Sequence, residues 1–200
     1  MSKVKILSGW SNPGGSTIHF IELCNLLNDN GFDCTFYGPH EWHLGKCKSE
    51  SNKSFILDAT DTLITHFLRP NEKLDCRYHI FSCHETNMYP INQFVDEGKL
   101  SLKNYDVIHF VSNSQKKWHS VNHPSVIIPP VVSKIAWKDP KNKTAGVVGN
   151  IDSHKQVHLS VKRALEDGFK KVLLFGNVSD PEYFNAGVKP WMNTKDVVLV

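Results

Sequence analysis

No run of this 200-residue sequence approaches the roughly 18 consecutive apolar residues that a bilayer-spanning helix needs, so no transmembrane segment is expected. The opening, Met1-Ser2-Lys3-Val4-Lys5, places no apolar leader ahead of the first apolar stretch, and no secretory signal is read there. Cysteine is scarce and odd in number. Five cysteines without repeated spacing argue against a disulfide framework and for reduced thiols in a cytoplasmic setting. Charge of one sign is also in short supply: a formal +3 is too mild for a nucleic-acid binder, which gathers Lys and Arg on one face. The densest basic runs, Lys116-Lys117 and Lys138 to Lys143, are short and read as solvated surface. Nucleic acid is therefore not an expected partner, while peripheral contact with a membrane stays open.

Several chemical signatures are missing as well. Neither a G-x-G-x-x-G fingerprint nor a Walker loop follows any strand-like run, which speaks against a dehydrogenase or a P-loop enzyme. No Ser-His-Asp, Cys-His-Asn or H-E-x-x-H constellation can be assembled from local spacing, so hydrolysis has little support. Cys76, His79, Cys83 and His84 offer four soft ligands close together, but strand alternation sends Cys83 and His84 to opposite faces. No metal is expected.

What remains, at 40% apolar and 22% charged residues, is the composition of a soluble globular protein with a sizeable core. Short β-rich runs alternate with helical patterns, as a parallel sheet with crossover helices requires. Val4 to Leu7 opens the first strand. A loop through Asn12-Pro13-Gly14-Gly15 follows, and Ser16 or Thr17 can cap a helix carrying Ile18, Ile21, Leu23, Leu26 and Leu27. Phe32 to Tyr37, Phe55 to Leu57, Leu63 to Phe67, Tyr78 to Ser82, Tyr105 to Val111 and Val126 to Ile128 read as further strands, with Lys46 to Lys53 a polar loop. Ser133 to Lys143 reads as a linker. Beyond it Thr144 to Val148, Val172 to Phe175 and Val197 to Val200 form a second set of strands, with a helix closed by Gly168, a helix started by Pro181 and a loop near Pro190. The expected fold class is α/β: a Rossmann-like domain over 1–132, a linker over 133–143, and the beginning of a second Rossmann-like domain over 144–200. The last would be about half of a doubly wound sheet.

In open parallel sheets ligands bind outside the carboxyl ends of the strands, so the loops after each strand are the candidate sites. Gly14 and Gly15 let backbone N–H groups approach an anion at a helix start, although for a Gly-Gly alone a tight strand-to-helix turn is the reading that comes first. His84, in Ser82-Cys83-His84-Glu85-Thr86, can donate to or accept from a hydroxyl or act as an acid or base near neutral pH. Asn150 and Lys155, in Gly149-Asn150-Ile151-Asp152-Ser153-His154-Lys155, lie where a helix dipole and an ammonium could hold a phosphate together.

Taken in order, these segments resemble the retaining glycosyltransferase family, family four, that uses the two-Rossmann-domain GT-B fold. Gly14-Gly15 before an amphipathic helix is similar to that family's Gly-Gly loop. Val107 to Lys116 ("VIHFVSNSQK"), Ser125 to Val132 ("SVIIPPVV") and Thr144 to His158 ("TAGVVGNIDSHKQVH") resemble its later landmarks, and Val172 to Asn177 its "L-x-I-x-G" strand. The resemblance implies a metal-independent transfer, with no cofactor, from a nucleoside-diphosphate sugar to a carbohydrate or glycolipid acceptor. It places Lys155 on the family's phosphate lysine, Gly14 and Gly15 near the same region, and His84 near a cleft histidine. Asn150 stands where the family usually has an arginine, and the E-x7-E segment has no counterpart before Val200. A non-catalytic binding module with a degenerate glycosyltransferase fold is the alternative expectation.

Overall fold

The computed structural model describes residues 3–9, 14–39, 45–66, 68–84, 91–131, 143–193 and 196–200. The expected turn at Asn12-Pro13, Glu85-Thr86 and nearly all of the expected linker lie outside them. The chain divides into two compact units, Met1–Lys134 and Ile135–Val200.

In the first unit, seven strands form one sheet: β1 (Val4–Ser8), β2 (Cys34–Gly38), β3 (Ser49–Ser51), β4 (Thr62–His66), β5 (Tyr78–Cys83), β6 (Val107–Phe110) and β7 (Ser125–Ile127). The order is β3-β2-β1-β4-β5-β6-β7 and every pairing is parallel, the Rossmann-like arrangement expected from the alternating pattern. The strand order reverses between β1 and β4. Ligands of doubly wound sheets lie at such a switch point.

α1 (Gly15–Asp29) packs on β1 and β2 and buries Phe20, Ile21 and Cys24, of which Phe20 and Cys24 meet Ile6, Cys34 and Phe36 in one core cluster. Gly31, at φ 82°, ends it as the expected glycine stop. The start differs from expectation: Gly14 is the N-cap and no side chain caps the helix, because Ser16 and Thr17 already lie inside the first turn. The second cluster, Phe81, Ile91, Leu100, Tyr105, Ile108 and Phe110, packs α2 (Ile91–Asp96) under β5 and β6. α3 (Asn113–His119) begins as expected at Ser112, whose hydroxyl accepts the Gln115 N–H at 3.1 Å.

The expected strand at Phe55 to Leu57 is not formed. The edge strand is the polar Ser49–Ser51, which pairs with β2 from within the expected polar loop, while Ile56 is 76% exposed. Edge position supplies the reason: one flank is solvated, so hydrogen bonding to β2 suffices without apolar side chains.

The second unit holds a three-stranded parallel sheet, β10-β9-β8, from β8 (Thr144–Val148), β9 (Lys171–Phe175) and β10 (Val197–Leu199). Its core is Ile151, Val157, Val161, Val172, Leu174, Val188 and Val197, lying between the sheet and α4 (Val157–Glu166). The loop expected near Pro190 is helix instead. α5 (Pro181–Tyr183) runs through a π turn (Phe184–Val188) into α6 (Lys189–Met192). The π turn shifts the hydrogen-bond register just ahead of Pro190, so its missing N–H and its ring sit at the start of a new helical segment. No helix among the described residues is long and apolar enough to cross a membrane.

Candidate functional site

The register of the seven-stranded sheet brings polar side chains together at its carboxyl edge. His66 ends β4 opposite Ser8 of β1, and Ser82 of β5 lies opposite His109 of β6. His84 follows Ser82 by two residues and therefore projects to the same side. His19, on the face of α1 that covers the sheet, completes the group. Its ring centroid lies 4.7 Å from that of His84 and 5.7 Å from that of His109, and His66 lies 5.4 Å from His84. Phe20 packs against His84 and His66 at 5.0 and 5.6 Å.

His19, His66 and His109 are buried, and His84 partly so. Burial, and then the charges of His109 and His66, push the pKa of His19 down to about 4. Burial, followed by His19, His66 and His109, takes His84 down to about 2. His109 is also lowered by burial, against a hydrogen bond to the Ile128 carbonyl that raises it. At neutral pH these three rings are uncharged, each holding one proton and one lone pair.

A pocket of about 510 Å³ opens over this group, lined among others by Gly15, Ser16, His19, His84, Val111 and Val131. The structure thus brings Gly15 and His84 together, with Gly14 next to Gly15 as the helix cap. A Cβ added at Gly14 or Gly15 would meet nothing within 4 Å among the described residues, whose packing therefore does not demand glycine there.

Asn150 and Lys155 lie in the second unit, both exposed. The expected helix start at Lys155 is corrected. Asp152 Oδ1 accepts the Lys155 N–H at 2.8 Å, Gln156 takes a left-handed φ of 49°, and α4 begins only at Val157. That turn leaves Lys155 ahead of the helix instead of on its first turn. Behind Asn150, the loops after β8 and β9 run against each other: Gly149 N–H donates to the Phe175 carbonyl at 2.9 Å and Ile151 N–H to that of Asn177 at 2.8 Å.

The soft ligands considered in the sequence are not gathered. His79 donates from Nδ1 to the Asn104 carbonyl at 3.2 Å and pairs with the Thr65 hydroxyl at 2.9 Å, while the Cys83 thiol meets His119 Nε2 at 3.3 Å. Among the described residues, His19, His84 and His109 do form a group whose ligand atoms all lie within 4.8 Å of one another. Sequence reasoning found His84 but missed His19, His66, His109 and Ser82. The available signal was the placement of His66 and His109, like His84, toward the carboxyl ends of strand-like runs.

No protein-family model matches the chain, and no curated protein matches it by sequence. The fold does match a solved structure, that of AviGT4, a glycosyltransferase involved in avilamycin A biosynthesis, with a TM-score of 0.62 at 13% identity. The match covers 100% of this chain and 63% of the other, so this chain spans less than two thirds of that protein's length. At that identity the likeness concerns the fold: the chain has a glycosyltransferase-like, Rossmann-type α/β architecture.

Proposed function

We propose that the chain acts in the cytoplasm as a glycosyltransferase, moving a sugar from a nucleoside-diphosphate sugar to a carbohydrate or glycolipid acceptor, with retention and without a metal ion. The observation that carries this reading is the uncharged histidine pocket at the carboxyl edge of a glycosyltransferase-like sheet, with Gly15 and Ser16 at the start of α1 on its wall. Neutral imidazoles exchange hydrogen bonds with hydroxyls without charge repulsion, and His84 is the residue assigned to catalysis. Gly14 and Gly15 lie at the amino end of a 15-residue helix, where the helix dipole favours an anionic group. Lys155 and Asn150 are assigned to the donor diphosphate in the second unit. Retention and metal independence rest on the family resemblance.

The test is nucleoside-diphosphate release by the full chain from a panel of UDP-, GDP- and ADP-sugars with glycoside acceptors. Release from at least one donor, lowered about 100-fold by His84→Ala, supports the reading. No transfer from any donor contradicts it. A binding module without transfer is the second reading, favoured by the uncharged Asn150 where the resemblance puts an arginine. Losing one preorganised donor to a leaving diphosphate costs about 3 kcal/mol of transition-state stabilisation. That reading is supported by nucleotide-sugar binding with no turnover.

A further inference from the structure

Among the described residues, the wall of the histidine pocket has two chemical halves. One is apolar and comes from three separate segments: Ile18 on α1, Val111 just after β6, and Pro130 and Val131 after β7. Ile18 is 43% exposed, although Thr17, His19 and Phe20 beside it in the chain are buried. Pro130 is exposed too, and Val111 and Val131 are half-buried. The other half is polar. It consists of Ser16 and the uncharged rings of His19 and His84, next to Gly15.

The backbone of the apolar half has its donors already engaged. The Ile18 N–H donates to the Gly14 carbonyl at 3.0 Å, the Val111 N–H to Gln115 Oε1 at 2.8 Å and the Val131 N–H to His19 Nδ1 at 2.9 Å, while Pro130 has no N–H. A sugar hydroxyl laid against this wall gives up water and meets no donor from these four residues, a loss that polar groups bear at a cost. A methylene laid there gains by leaving water. At about 510 Å³ the pocket lies in the size range that encloses a drug-sized ligand, more than one sugar ring. Single exposed apolar residues are ordinary, whereas four that converge on one pocket mark a binding surface.

We propose that this pocket takes an amphipathic glycoside, its alkyl aglycone lying against Ile18, Val111, Pro130 and Val131 and its sugar toward Ser16 and the histidines. Ile18 is the specificity-determining residue, because it is an apolar side chain kept exposed at the pocket and it selects the aglycone. The acceptor role of this ligand rests on the glycosyltransferase reading, in which Asn150 and Lys155 serve the donor in the second unit and the first unit is left for the acceptor. The amphipathic class rests on the wall itself. Between the two acceptor classes of that reading, the wall selects a glycolipid over a free carbohydrate.

Equilibrium dialysis of the full chain against octyl and methyl glycosides of glucose, galactose and mannose, below the concentration at which the octyl compounds form micelles, tests it independently of sugar transfer. For at least one sugar the octyl glycoside should bind at least about tenfold more tightly than the methyl glycoside, since each fully buried methylene is worth about fourfold. 1-Octanol should bind more weakly than that octyl glycoside. Ile18→Gln, at an exposed helix position, should remove most of the octyl preference. Ile56→Gln, at an apolar residue 76% exposed and outside the pocket wall, should leave it unchanged. Equal binding of octyl and methyl glycosides, no binding of either, octanol bound as tightly as the glycoside, or a preference that Ile18→Gln leaves intact or Ile56→Gln lowers equally would each overturn the proposal. Sugar transfer to methyl and octyl acceptors with equal KM would also overturn it while keeping the transferase reading. An octyl preference that Ile18→Gln removes, without transfer from any donor, would leave the glycoside site standing and remove the transferase reading instead.

Discussion

Val131 donates its backbone N–H to His19 Nδ1 at 2.9 Å, tying the segment after β7 to a ring on α1 that lies 112 residues earlier. The bond needs a lone pair on His19, and burial near His109 and His66 supplies it by holding the ring neutral.

Stability should therefore fall on the acid side of neutrality. His19 and His84, with folded pKa values of about 4 and about 2, bind no proton where the unfolded chain, near 6.5, does. Their contribution is complete above the unfolded value and is lost as pH drops below it, by up to about 1.4 kcal/mol per pH unit for each ring. Denaturant melts between pH 7 and pH 4 should show this slope, and His19→Phe should flatten it. A stability unchanged across that window would contradict the neutral cluster.

Lys5 and Asp61 set a second expectation. Their charged atoms are 2.5 Å apart with side chains 11% and 3% exposed, beneath the sheet's amino-terminal edge. Lys5→Met leaves the carboxylate buried and unpaired and should cost about 3–5 kcal/mol in chemical denaturation. Lys73→Ala, which opens the more exposed pair with Asp106, should have a far smaller effect.

Gly176 should tolerate no side chain. A Cβ there would stand 1.9 Å from the Gly149 carbonyl oxygen, on a backbone at φ 156° that L residues rarely adopt. Gly176→Ala should destabilise the second unit by at least about 2 kcal/mol, while Gly146→Ala, whose Cβ meets only the Phe175 ring at 3.8 Å, should be tolerated. Thermal melts of the two variants give the comparison.

The sheet was legible where buried strands announce themselves as apolar runs, as at Val4 to Leu7, Tyr105 to Val111 and Thr144 to Val148. It was illegible at Ser49–Ser51, whose strand exists through its pairing with β2 and not through its side chains. The site divides in the same way. His84 could be found because it follows a strand directly, whereas His19 stands on an amphipathic helix whose other residues read as core. The meeting of His19, His66 and His109 with His84 depends on parallel register and on the docking of α1, both long-range properties. Lys155 shows the converse: its local pattern suggested a helix start, and the Asp152 side chain and the left-handed Gln156 moved that start to Val157.

Thermal unfolding of the full chain with UDP, GDP, ADP and their sugar conjugates tests the glycosyltransferase reading most directly. A ligand at 100 times its dissociation constant stabilises by about 2.7 kcal/mol, a rise of roughly 5–11 °C for a protein of this size. The account predicts a rise selective for one nucleotide and its sugar conjugate, abolished by Lys155→Ala. An unchanged melting temperature with every nucleotide and conjugate would contradict it.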